Sequence, residues 1–407
     1  MKRMFRVCAG MDVHKASVFV CLMKVRDDGE LVKTIRQFDT TTRALLELLD
    51  RLTSEACQSA AMESTGVYWK PVFNILEGAV KVVLLNARHI KGLPGRKTDV
   101  KDCEWIAELH LHGLVRPSFI PSSPIRELRD LVRTRTTLIA DRTRQVNRVQ
   151  KALEDANIKL GNVATDVLGV SGRSMIERLI AGETDAQAMA QLARGRMRSK
   201  REKLREALQG RVKPHHQLLL KTHLAVMDGI NAAISALTTD IEERMRPFTE
   251  IRDRLDAVTG VGSEAATVLI SEMGVELSAF PTPGHAASWA GLCPGHHESA
   301  GKRQSGRTRH GNRWLKAVFT QVGWATSRAN GTYLQAHFRR VCSRRGAKKA
   351  AGHSAFVRCI AMIQKGADYR ELGADYFDQR AKTATAKKLV QRLKGLGYEV
   401  KLEPLAA

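Results

Sequence analysis

The sequence predicts an α/β domain followed by a largely helical remainder. Three observations carry this. Short apolar runs of strand type alternate with segments of helical period over about the first 120 residues. Two much longer stretches beyond them each keep one apolar stripe. From Arg254 onward the texture changes to glycine-punctuated helices and then to a strongly basic stretch.

Taken in order, Phe5 to Asp12 reads as a strand, and a second run from Ala16 to Met23 returns beside it. Thr41 to Thr53 follows as a helix, with Leu45, Leu46, Leu48, Leu49 and Leu52 at helical spacing. Ser59 to Glu63 is a short strand, Val67 to Leu76 a helix, and Val80 to Leu85 another strand. This order, with strands of differing polarity, is close to that of ribonuclease H. Asp99 then opens a helix-like segment that carries Asp102 three residues on, so both carboxylates share a face.

Pro117 to Pro124, with three prolines and three serines, reads as a linker. Two helices of about 45 Å follow. The first runs from about Ile125 to Ala156, with Ile125, Leu128, Val132, Ile139, Val146, Val149 and Leu153 in near-heptad register. Arg135 and Arg142 fall on its seam. The second runs from about His216 to Met245 and aligns Leu220, Met227, Ile230, Ile234, Leu237, Ile241 and Met245. They fit an antiparallel pair packed within one chain or an oligomerising coiled coil equally well. Residues 161–213 between them read as irregular helix, with no role assigned. Leu255 to Gly274 matches a helix-hairpin-helix-like element, in which Gly260 and Gly262 let backbone N–H groups approach a phosphate. Ordinary packing of two helices uses the same glycines. The expected domains are 1–120, 121–250, 251–367 and a tail, 368–407.

The 407 residues carry 66 Lys and Arg against 42 Asp and Glu, a formal net charge of +24 that points to a polyanionic partner. Its distribution sharpens the point. Between Glu298 and Asp368 there is no acid but 15 Lys and Arg, interleaved with Trp314, Trp324, Tyr333, Phe338 and Phe356. Seven scattered cysteines with no C-x-x-C pair suggest neither a zinc site nor a disulfide framework. No apolar run nears the roughly 18 residues that span a bilayer. Asp12 and His14 interrupt the stretch where a signal-peptide core would lie. The expected setting is the cytoplasm, without a membrane.

Against this basic background, four acids stand out: Asp12 and Glu63 at strand ends, with Asp99 and Asp102 on one helix. Singly, each is explained by turn or helix capping. Together, in this order, they suggest a shared site for divalent magnesium or manganese, since hard cations choose oxygen ligands and grouped carboxylates repel without one. The second constellation runs from Ala290 to Arg313. A turn-rich loop there exposes Ser299 and Ser305 among Lys302, Arg303, Arg307, Arg309 and Arg313. A serine can accept a phosphoryl group if its proton is removed, and cations can hold the scissile phosphate. Ser299 is the better candidate and Ser305 the reserve. Spacing alone favours the plainer alternative, a phosphate-binding loop whose serines only donate hydrogen bonds. His296 and His297 fit surface or phosphate contacts better than metal ligation.

Three segments resemble the DEDD transposases of bacterial insertion sequences, which are related to site-specific DNA invertases and known as bridge-RNA-guided recombinases. They are GMDVHK (Gly10–Lys15); ESTGVY (Glu63–Tyr68) with KTDVKD (Lys97–Asp102); and GLCPGHHESAGKR (Gly291–Arg303) with GNR (Gly311–Arg313). The resemblance implies a RuvC-like (ribonuclease H-like) amino-terminal domain, a coiled-coil middle and a mainly helical carboxy-terminal transposase domain with a nucleophilic serine. It makes Asp12, Glu63, Asp99 and Asp102 the metal-binding tetrad and Ser299 the residue that holds a DNA end as phosphoserine. It also implies partners: double-stranded DNA at element ends and target, a structured guide RNA, and further copies of the chain in a dimer or tetramer that brings the two domains together from different subunits. The long middle and the tail beyond Asp368 depart from the shorter members. Two other functions fit the same residues: a RuvC-like metal-dependent endonuclease in which water attacks, and a non-catalytic nucleic-acid-binding protein.

Overall fold

A computed structural model of the chain describes residues 3–64, 66–85, 99–293, 297–305, 307–308, 310–347, 352–380 and 382–401. They form two compact units, Met1–Ile120 and Pro121–Ala407. The first holds a five-stranded sheet: β1 (Val7–Val13), β2 (Ser17–Val25), β3 (Leu31–Asp39), β4 (Ser59–Glu63) and β5 (Lys81–Leu85), in the order β3-β2-β1-β4-β5. β2 is antiparallel to β1 and β3, whereas β1, β4 and β5 run parallel. This is the expected ribonuclease H order with one strand more than the reading above contained. β3 escapes pattern recognition because it is an edge strand, half-buried at best, whose Lys33 and Arg36 break the alternation. Charges of this kind also keep an open edge from pairing with other chains.

Strand parity divides the core of this unit. Val7, Ala9, Met11 and Val13 of β1 face one side, with Leu45, Leu48 and Leu52 of α1 (Thr42–Ser54) and Val72, Phe73 and Leu76 of α2 (Trp69–Leu76). Cys8 and Cys21 face the other, with Cys103, Ala107 and Leu111 of α3 (Asp99–Leu111). α2 starts two residues later than its apolar pattern suggests, and no side chain caps it. The proline-rich stretch is tied to the sheet edge: Ser118 N–H donates to the Leu84 carbonyl, and Pro117 forms a bridge with Leu85.

The second unit is built on the two long helices, α4 (Ser123–Asp155) and α6 (Pro214–Met245). Their cross-links fix an antiparallel arrangement. Glu127 pairs with Arg244, Arg142 Nε donates to Asn231 Oδ1 at 2.8 Å, and Asp155 meets His216 at 2.8 Å. The two arginines on the predicted seam are thus accounted for. Arg142 is a polar rung between the helices, and Arg135 turns to Glu264. Ile139, on the same seam, is 44% exposed. The irregular region between the helices folds into short helices around a core of its own. Met175, Ile176 and Leu179 of α5 (Val170–Ile180) pack there with Met189, Leu204 and Leu208 against the ends of α4 and α6.

Beyond α6 come α7 (Thr249–Asp256) and α8 (Ser263–Met273), the predicted helical hairpin. α8 is buried on every side from Ala265 to Met273. That burial includes Glu272, which is 1% exposed and binds several partners at once. Arg133 of α4 grips its carboxylate with two bonds, at 2.6 and 2.7 Å. Asn312 Nδ2 donates to Oε2 at 2.6 Å, and Arg129 Nε lies 3.4 Å from the same oxygen. The other Oδ1 end of Asn312 accepts the N–H groups of Trp314 and Leu315, capping α9 (Arg313–Arg328). Burial pushes the Arg129 guanidinium down to about 10, against the pull of Glu272.

Two predictions follow from these buried ionisable groups. In the first unit His110 Nε2–H donates to Ser59 Oγ at 2.9 Å, since the Ser59 hydroxyl itself donates to the Lys81 carbonyl at 2.8 Å. Nδ1 is buried with no acceptor, so a second proton has nowhere to bond, and burial pushes the imidazole down to about 4. A lowered folded pKa means stability that is whole above about pH 6.5 and is lost as pH falls toward 4. The loss should reach about 3 kcal/mol, measured by denaturant unfolding across that window, and His110→Gln should flatten the slope. In the second unit Glu272→Ala strands two guanidinium groups and should cost about 3–5 kcal/mol, whereas Glu202→Ala, at an exposed pair with Arg205, should cost under about 1 kcal/mol by the same unfolding measurement.

Candidate active site

In the first unit the sheet register aligns two of the acids. Met11 of β1 pairs in parallel with Met62 of β4, so Asp12 and Glu63 occupy equivalent positions one step further on. Both have the parity of the α3 face, because Cys8, Gly10 and Asp12 alternate with the residues packed on α1 and α2. Ala61, two residues before Glu63, likewise meets Ile106 of α3.

Gly10 sets how closely α3 approaches. A Cβ there would sit 2.2 Å from the Ala107 nitrogen and 2.3 Å from the Cys103 carbonyl. No side chain fits, so the helix backbone lies directly on the strand. Cys8 donates to the Ala107 carbonyl, so going up β1 from Cys8 to Asp12 means going back along α3 toward its amino end. Asp12 therefore reaches the start of α3, and its charge helps burial push the Cys103 thiol up to about 12. Glu63 and Asp102 are half-buried. Asp12 is only 7% exposed, and His14 Nε2 stands 3.1 Å from its Oδ2. The Asp99 side chain lies outside the described residues.

His14 was not singled out by sequence reasoning as a partner of Asp12. The signal was present in the strand alternation, which puts residues 12 and 14 on one face.

In the second unit, β6 (His297–Ser299) and β7 (Lys302–Ser305) form a small hairpin. Ser299 pairs with Lys302 across a two-residue turn, Ala300 (φ 50°) and Gly301 (φ 73°). Positive φ at both central positions marks a type I′ turn, the geometry that matches strand twist. Alanine at the first of them is strained, at a cost on the order of 1 kcal/mol. Ser299 is exposed, and its hydroxyl has no hydrogen-bond partner among the described residues. Ser305, the reserve candidate, is occupied: its Oγ accepts the Arg307 N–H at 3.2 Å, a local turn.

The base of this hairpin loop is pinned. A Cβ on Gly311 would lie 2.3 Å from the Gly291 nitrogen, so the two ends of the loop touch backbone to backbone. The next residue is Asn312, fixed by Glu272. Lys316 Nζ reaches back to Thr308 Oγ1 at 2.6 Å. Lys302, Arg307 and Arg313 are exposed around the loop, with the Arg313 guanidinium 4.6 Å from the centre of the Trp314 ring. The side chain of Arg303 and the whole of Arg309 lie outside the described residues, as do the side chain of His297 and all of His296.

Of the two glycines in the helical hairpin, Gly260 (φ 83°) faces α9, where a Cβ would meet Thr326 Oγ1 at 2.7 Å. Its lack of a side chain serves packing. Gly262, at the N-cap of α8, has nothing within 4 Å of where a Cβ would be and is the open position of the pair. Glu272 and Asn312 were also missed as a working pair. The signal was a lone acid inside the apolar run Val268–Met273, with Arg129 and Arg133 one helical turn apart elsewhere in the chain.

Comparison with known proteins gives two family matches. Residues 9–158 match the DEDD transposases of IS110 type, described as “Transposase”, and residues 252–339 match the “Transposase IS116/IS110/IS902 family”. No curated protein matches the chain. Among solved structures, RuvC of Thermus thermophilus aligns at 16% identity and a TM-score of 0.22, covering 28% of this chain and 99% of its own. The same protein in complex with a Holliday junction substrate aligns at 15% identity and 0.21, with the same coverage. Among the described residues no helix is long and apolar enough to cross a membrane. The two family spans flank residues 159–251 and together take in more than half of the chain, which belongs to the IS110/IS116/IS902 family of DEDD transposases.

Proposed function

We propose that this transposase cuts and rejoins DNA through a phosphoserine intermediate at Ser299, assisted by a divalent cation held by Asp12, Glu63, Asp99 and Asp102. The observation that carries the serine reading is its display. The Ser299 hydroxyl stands exposed and without a hydrogen-bond partner among the described residues, on a hairpin whose base is clamped and whose rim is cationic. In the first step its oxygen attacks the scissile phosphorus. A phosphoserine ester forms, one phosphorus–oxygen bond to a deoxyribose breaks, the serine proton leaves to a base, and the freed sugar oxygen takes up a proton. A sugar hydroxyl of another strand then attacks the phosphoserine and restores the serine. One ester replaces another at each step, so no external energy source is needed. Lys302, Arg307 and Arg313 hold the phosphate and offset its developing charge.

The acids fit a hard cation. Their donors are all carboxylate oxygens, and Asp12 is almost wholly buried beside a histidine, where an isolated acid cluster is costly. Magnesium or manganese bound there supplies Lewis-acid polarisation of a phosphate oxygen. The chain's own part is to set the spacing: β1 and β4 fix Asp12 and Glu63, and the contact at Gly10 fixes α3. A structured guide RNA and a homo-oligomeric assembly belong to the same reading.

Incubating the full chain with its co-purifying RNA, magnesium and element-end DNA, then denaturing it, should leave a covalent protein–DNA adduct. Ser299→Ala should abolish the adduct, Ser305→Ala should leave it, and Asp12→Asn should slow cutting by about a hundredfold or more. Free nicks that persist in Ser299→Ala would instead assign attack to water. Duplex affinity should fall steeply with salt, and each of Lys302→Ala, Arg307→Ala and Arg313→Ala should lower the slope of log affinity against log salt by about 0.9.

A further inference from the structure

The region between the long helices, which the reaction above does not use, contains a cavity of about 590 Å³. One wall is the start of α5, including Val170 and Ser171. The other is the segment from Arg194 to Lys200, with Arg194, Arg196, Met197 and Lys200 on the lining. Arg194 and Arg196 are exposed and have no ionic partner among the described residues. Lys200 is anchored, its Nζ donating to the Val163 carbonyl at 2.9 Å. Three cations around one hollow repel each other, with only the Asp166 carboxylate to relieve them. That carboxylate accepts the Leu168 N–H and sets its negative charge beside Gly169 at the amino end of α5, without capping the helix. An incoming anion is therefore directed to the arginine side.

The cavity is not only cationic. Val170, 66% exposed, and Met197 give it an apolar wall. Ser171, 7% exposed, also lines it; its Oγ accepts the Arg194 N–H at 2.8 Å, and its proton has no acceptor among the described residues. A flat apolar group beside an anion is the description of a nucleotide, and the volume suits one small ligand but not a base-paired helix. Cations continue past the cavity: Arg198 and Lys203 are exposed with no ionic partner among the described residues. That track is longer than a free mononucleotide needs and fits a strand.

We propose that this cavity binds an unpaired nucleotide of a nucleic-acid strand, its phosphate held by Arg194 and Arg196 and its base against Val170 and Met197. Lys200, Arg198 and Lys203 follow the backbone on either side. The inference rests on the proposed function only in that the chain handles nucleic acid; it does not require Ser299 to be the nucleophile.

The test uses the full chain and three fluorescent probes of equal length: oligouridylate, oligodeoxythymidylate and a DNA duplex. Photocrosslinking with thio-substituted versions of the strands locates contact. Crosslinks should fall in peptides spanning 164–172 or 194–205, from one or both single strands, and the preferred strand distinguishes RNA from DNA. The double variant Arg194→Glu/Arg196→Glu should weaken single-strand binding about tenfold or more and lower its salt slope by about 0.7 per lost contact. Val170→Glu, on the rim and outside the core, should do the same without moving the thermal unfolding midpoint. Crosslinks confined to the Ser299 loop, wild-type affinity in both variants, or equal competition by adenosine monophosphate would overturn the proposal. The first of these leaves the serine reading intact, and a missing adduct with crosslinks in place would do the converse.

Discussion

The contact between β1 and α3 at Gly10 is the constraint on which the acidic half of this protein depends. Two backbones that touch cannot slide without losing the packing around them. Here that packing is the closed set of Cys8, Cys21, Met23, Cys103, Ala107 and Leu111, all buried. Each such side chain contributes roughly 1–3 kcal/mol by leaving water, so the group outweighs the repulsion of a few carboxylates in a partly solvated cleft. The placement of Asp12 against the start of α3 is consequently set by apolar packing along the same strand–helix contact. The buried cysteines along this contact act as small apolar residues: burial pushes Cys8 and Cys21 up to about 12, which keeps them thiols.

The basic half inverts the arrangement. Its decisive buried group is one acid among cations, Glu272, and its decisive close approach is glycine on glycine, Gly291 against Gly311. The carboxylate is satisfied from three directions, which is the condition under which a buried charge is tolerated. Because one of those partners is Asn312, the same carboxylate fixes the first residue of α9 and with it the exit of the Ser299 loop. A hydroxyl on a two-residue turn can be fully exposed and still be held in place if both loop ends are fixed, and the glycine contact fixes them. Rigidity comes from the base of the loop, while its tip stays exposed.

Much of this was legible in the sequence because it is periodic. The alternation of Val7 to Val13, the leucines of α1 and the stripes of α4 and α6 name their elements to within a few residues. β3 was not legible, since an edge strand with Lys33 and Arg36 buries too little to keep a period of two. The order of the acids could be read from their settings, but the alignment of Asp12 with Glu63 rests on strand register and the approach of α3 on Gly10, and a glycine in a strand does not announce which helix lies on it. Arg135 and Arg142 looked like faults in a coiled-coil seam. They are contacts to Glu264 and Asn231, partners about 90 to 130 residues away that no local pattern reveals. Spacing alone left the two serines of the basic loop as plain hydrogen-bond donors. The structure separates them by one local bond, the Arg307 N–H that occupies Ser305.

Net charge alone would not have located either cationic surface, because many arginines of the helical unit serve the fold. Arg173 is shared by Asp228 and Glu177, Arg244 by Glu127 and Asp240, and Arg254 pairs with Glu250 and Asp368. Such pairs are exposed and individually weak, under about 1 kcal/mol, yet each leaves one fewer cation free for a phosphate. What remains free is informative. The hairpin loop has no acid in sequence between Glu298 and Asp368, so within it only Glu298, opposite Arg303, competes with a ligand for its cations. The segment from Arg194 to Arg205 has Glu202 within it and Asp166 across the cavity, and only Arg205 is drawn into a pair, with Glu202. Asp166 lines the same cavity as Arg194 and Arg196, yet neither arginine pairs with it among the described residues. Charge kept separated in this way costs stability, and the proposed nucleotide site is the role that would account for it on this irregular insertion.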